Sequence, residues 1–180
     1  MMKCPVDKSL VSGILPLMEP TKSATTPTNE AVQSVGGLLG NNTPHNFATL
    51  AEQFLRATKV LHQHDKEFGF PARPTYFLAF QALELYLKAF LAGKGMPGKD
   101  LQRRIGHSIR KALEEAKLQG LPLPNIDDRW LQALLDLSDA YQSRTLQYRS
   151  NHRGMAVLPG DLIEFVNIVC RKCGYTPPSV

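Results

Sequence analysis

The chain has 180 residues, 43% hydrophobic and 21% charged, with a formal net charge of +5. That suffices for one ordinary domain with a core, and no apolar run approaches the ~20 residues of a membrane span. The mildly basic balance permits nucleic-acid contact without requiring it, and three cysteines, Cys4, Cys170 and Cys173, point to a reducing cytoplasm rather than a disulfide scaffold.

Residues 1–42 read as a flexible tail. The run Val11–Met18 is short and broken by Gly13 and Pro16, so it does not read as a signal peptide. Thr, Ser, Pro, Asn and Gly then dominate from Glu19 to Asn42 without a sustained apolar period. The first helix is expected from Thr43-Pro44, with threonine as N-cap and proline in the first turn. Phe47, Leu50, Ala51, Phe54, Ala57, Thr58 and Leu61 recur at helical spacing, to an end near Asp65.

A second helix is expected from Pro74 to Ala92. Tyr76, Phe77, Phe80, Leu83, Leu85, Leu87, Phe90 and Leu91 cover so broad a face that it reads as the buried centre of a bundle. Gly93, Gly95, Pro97 and Gly98 close it. A third helix is expected from Asp100 to Leu118, with Ile105, Ile109, Ala112, Leu113 and Ala116 inward. Asn125 is a candidate N-cap for the fourth, with Asp127 and Asp128 in its first turn and Trp130, Leu131, Leu134, Leu137 and Tyr141 inward. The basic stretch Arg144–Arg153 precedes a last helix, Asp161 to Lys172, carrying Leu162, Ile163, Val166 and Val169. No segment alternates as a strand would. The expectation is an all-α, antiparallel bundle of about five helices over residues 43–176, with a short C-terminal tail at 177–180.

Three places carry candidate chemistry. Glu84 and Lys88 stand four apart in the favoured order on a helix, either as a plain ion pair or as part of a polar cleft. His107 follows Gly106 beside Arg103, Arg104 and Arg110, placed to serve a helix cap or an anion site. Arg144, Tyr148, Arg149, His152 and Arg153 form a basic-aromatic cluster, in which arginine can grip phosphate as a fork and tyrosine can stack on a base. His62 and His64 are two apart and face different sides of a helix. Cys170-x-x-Cys173 lacks a second pair for zinc and sits at a helix end, so two ordinary thiols are expected. Neither metal nor cofactor is expected.

Glu84-Leu85-Tyr86-Leu87-Lys88-Ala89, followed by Gly106-His107-Ser108-Ile109, resembles the HEPN domain (higher eukaryotes and prokaryotes nucleotide-binding) over Phe47 to Cys173. The resemblance implies a helical bundle that binds RNA or a nucleotide, forms a homodimer and serves a defence or toxin–antitoxin system. A partner protein such as a nucleotidyltransferase is implied, and no membrane.

Catalytic members are metal-independent ribonucleases carrying Arg, four to six residues, then His. This chain has the shorter Arg149-x-x-His152. If it cleaves RNA, the resemblance makes Arg149 the phosphate-stabilising group and His152 the proton carrier. Glu84, Lys88, His107, Arg144, Tyr148 and Arg153 are then candidates for ligand binding. A non-catalytic dimeric interaction module and a small-molecule-binding helical domain are the alternatives.

Overall fold

The computed structural model describes residues 42–68, 73–143 and 157–179. Among them the chain is all-helical, without a strand. The long helices are α1 (Pro44–Phe68), α2 (Arg73–Gly93), α3 (Ile109–Leu118), α4 (Asp128–Gln142) and α5 (Pro159–Lys172). A short connector, Gly98–Ile105, lies between α2 and α3. No described helix is long and apolar enough to cross a membrane. The expected tail lies outside the described residues apart from Asn42.

The centre of the bundle is α2. Every residue from Ala82 to Ala89 is buried, so two turns of this helix have no solvent face. It touches α1, α3, α4, α5 and the connector. A segment with so few polar residues is stable only when neighbours cover it on all sides.

Antiparallel packing of α1 on α2 follows from contacts at their two ends. Near the loop, the Thr75 hydroxyl donates to the Asp65 carboxylate. At the far end, Phe47 and Lys88 line one cleft. In contrast, α5 runs alongside α2 in the same direction. The Tyr76 hydroxyl donates to the Val157 carbonyl at 2.9 Å before α5 begins, and Cys173 Sγ lies 3.6 Å from the Tyr86 carbonyl oxygen beyond its end. Aromatic edges close the seams, Trp130 of α4 on Phe165 of α5 and Phe77 of α2 on Tyr141 of α4.

Thr43 caps α1 as expected, its Oγ1 accepting from the Asn46 N–H at 3.2 Å. The buried face of α1 keeps Ala51 and Thr58 of the expected stripe and departs from it at Leu50 and Ala57. Ala48, Ala51, Leu55 and Thr58 are buried, while Leu50 and Ala57 are exposed. Both sets repeat every three or four residues, so periodicity alone does not choose between them. The Thr58 hydroxyl is tolerated inside because it donates to the Phe54 carbonyl at 2.7 Å. The cap of α4 is Asp127, not Asn125. Its Oδ1 accepts from the N–H groups of Arg129 and Trp130 at 2.9 and 3.0 Å, and its charge suits the positive end of the helix.

Cys170 is buried and Cys173 partly so, both as free thiols. Burial pushes the Cys173 thiol up to about 12 and raises that of Cys170. Reaction with alkylating agents needs the thiolate. Iodoacetamide at mildly alkaline pH is therefore expected to spare the peptide bearing both cysteines in the folded protein. Both should be alkylated after denaturation, as read by mass spectrometry.

Candidate functional site

The stretch expected as one helix from Asp100 to Leu118 is broken, and the break builds the site. After a single α turn at Gly98–Asp100, residues Leu101–Ile105 form a π turn. The Gly106 N–H donates five residues back, to the Leu101 carbonyl, at 2.9 Å. A π turn holds one residue more than an α turn and occurs frequently at functional sites. Gly106 then takes φ 60°, ψ −122°, a conformation open to glycine and strained for other residues. Ser108 restarts the helix as N-cap of α3, its Oγ accepting from the Lys111 N–H at 3.3 Å. His107 is left between the two pieces and turned toward α2.

There it meets Glu84. Glu84 is 1% exposed, on the fully covered stretch of α2. Its Oε1 accepts from Lys88 Nζ at 2.6 Å and lies 3.0 Å from His107 Nδ1. Its Oε2 is buried with no hydrogen-bond partner among the described residues. An unsatisfied buried acceptor costs about 1–3 kcal/mol, so this is an expensive way to fasten a helix. The Tyr141 hydroxyl donates to Gln81 Oε1 at 2.7 Å. Burial, and then the Glu84 charge, raise its pKa.

Lys88 and His107 open onto a cleft of about 340 Å³, lined also by Asn42, Phe47, Leu101 and Gln102, with Gly98 and Gly106 in its walls. Lys88 is nearly buried, whereas the His107 side chain is 77% exposed. The cleft thus offers an ammonium, an imidazole, two side-chain amides and an aromatic ring. A Cβ at Gly98 would stand 2.6 Å from Asn42 Nδ2, so the Asn42 side chain would have to move to admit one.

Sequence reasoning named three of these groups, Glu84, Lys88 and His107, and the structure brings them together. It missed Asn42 and Gln102, and read Phe47 only as a core residue. The Gln102 position follows from the π turn, which no periodicity announces. Two of the three arginines expected beside His107 are engaged by carboxylates. Arg104 pairs with Glu115 at 3.2 Å, and Arg110 with Asp139 at 2.8 Å and Asp136 at 3.4 Å. Arg144, Tyr148, Arg149, His152 and Arg153 lie outside the described residues. No cluster of three or more metal-ligating side chains occurs among the described residues.

No family model, curated protein or solved structure matches the chain.

Two substitutions test this architecture. Gly106→Ala is expected to destabilise the fold by about 1–3 kcal/mol, because alanine resists that backbone conformation. Thermal unfolding reports it. Lys88→Met leaves the Glu84 carboxylate buried without its cation and should cost about 3–5 kcal/mol in urea unfolding. The double variant Glu84→Gln, Lys88→Met is expected to regain most of that loss; equal loss in both variants would show that the charges are not coupled.

Proposed function

We propose that this chain binds RNA or a nucleotide, with a phosphate seated on Lys88 in the cleft beside His107. The observation that carries the reading is the Glu84–Lys88–His107 cluster itself. A fully covered carboxylate holds one cation and one imidazole at a cleft wall, and leaves one of its own oxygens without a partner among the described residues. That arrangement costs stability, which a plain ion pair on the surface would not. A lysine ammonium is a point donor for phosphate. The cleft volume falls within the range of small-ligand sites, and Phe47 offers a face on which a base can stack. The HEPN resemblance supports the same ligand class and adds a homodimer, a defence or toxin–antitoxin setting and a nucleotidyltransferase partner to the proposal. Cleavage through Arg149 and His152 is no part of this binding reading.

A second reading has one observation in its favour. Leu50 and Ala57 are exposed on α1, alternating along the chain with half-buried Phe54 and Leu61, and Val60 is 51% exposed. That apolar strip suits a protein partner or a second copy.

Fluorescence anisotropy with a short single-stranded RNA separates the two. Binding is expected to weaken with salt and to fall about tenfold in the Glu84→Gln, Lys88→Met variant, which lacks the cation. Absence of RNA and mononucleotide binding, with a dimer in sedimentation that Leu50→Glu dissociates, would replace the first reading with the second.

A further inference from the structure

Lys88 and His107 offer a ligand different things. An ammonium only donates, whereas neutral imidazole has one donor and one acceptor nitrogen. The partner of Nδ1 decides which is which. Glu84, charged opposite Lys88 at 2.6 Å, can only accept, so at 3.0 Å it takes the hydrogen of Nδ1. In the neutral imidazole the lone pair is then on Nε2. Since the His107 side chain is 77% exposed and lines the cleft, Nε2 is open to a ligand. One oxygen, Glu84 Oε1, holds both Lys88 Nζ and His107 Nδ1, so the two side chains meet at the cleft wall.

A ligand that satisfies both carries an acceptor and a hydroxyl donor on neighbouring atoms. Ribose with a 3′-phosphate has this arrangement, since its 2′-hydroxyl sits on the adjacent carbon; deoxyribose lacks the hydroxyl. We infer that His107 Nε2 accepts the ribose 2′-hydroxyl while Lys88 holds the phosphate, so that the cleft selects RNA over DNA. His107 is thereby a specificity-determining residue, positioned by Glu84. The inference rests on the nucleotide-binding reading above and adds the sugar to it. The opposite assignment, an imidazolium with Nε2–H, would donate to phosphate and leave the two sugars alike.

The test is a set of anisotropy titrations with the full chain and one short sequence in three chemistries: RNA, 2′-fluoro RNA and DNA. The 2′-fluoro strand keeps the phosphates and the RNA-like sugar but has no donor at the 2′ position. RNA is expected to bind about 3- to 10-fold more tightly than the 2′-fluoro strand and DNA, the range of one hydrogen bond. His107→Ala should bind all three strands with equal affinity. Long-range ¹H–¹⁵N spectra of the imidazoles in the free protein should show His107 in the Nδ1–H form at neutral pH. Equal affinity for RNA and 2′-fluoro RNA in the wild type, or an Nε2–H form of His107, would overturn the inference and leave nucleotide binding standing. Binding of none of the strands would remove both.

Discussion

Glu84 sits on the part of α2 with the least access to water, and a charge there must be met by partners within hydrogen-bond reach. Lys88, one turn further along the same helix, supplies the first at 2.6 Å. The second, His107, comes from a different part of the chain, and it arrives only because the helical stretch around it is interrupted. The π turn, the glycine bend and the Ser108 cap all serve one placement. The position of a single carboxylate therefore accounts for an irregular connector in an otherwise regular bundle.

Much of this is legible in the sequence, for a physical reason. Long amphipathic helices declare themselves through period and caps. The bounds of α2 and α5, the Thr43 cap and the burial of Leu134, Leu162 and Val166 all follow from such signals. Glu84 and Lys88 are legible as chemistry because charge on an apolar helix has few uses, and His107 because it follows a glycine beside arginines. Features without a period stay hidden. The two faces of α1 have almost the same spacing, and only contact with α2 decides that Ala51 and Leu55 go in while Leu50 stays out. The π turn appears as nothing more than Leu-Gln-Arg-Arg-Ile, and the cap of α4 is settled by two hydrogen bonds to Asp127 rather than by composition.

Charge is also distributed with some economy. The net charge of +5 invites an image of a broadly basic surface. Arg56, Arg104, Arg110 and Arg171 are nevertheless each paired with a carboxylate. Such exposed pairs add little stability, the usual range being about 0–1 kcal/mol, but they mute the local field. The ammonium of Lys88 is different in kind. It lies against a buried anion at the mouth of a cleft, where the surroundings screen it less than bulk water would. A ligand for this face is then recognised by a few placed groups more than by overall attraction.

The π turn also limits how the chain can vary in length. Each helical residue advances the chain by about 100° around the axis. Removing one residue between Leu101 and Ile105 would restore an ordinary α turn and improve local hydrogen bonding. It would also rotate the downstream residues by that angle and carry the imidazole away from α2. Relatives that keep the site should therefore hold this interval at constant length while neighbouring loops lengthen and shorten freely. A relative that has lost one residue there should have lost the carboxylate on α2 too, since a buried charge without its second partner has little reason to persist.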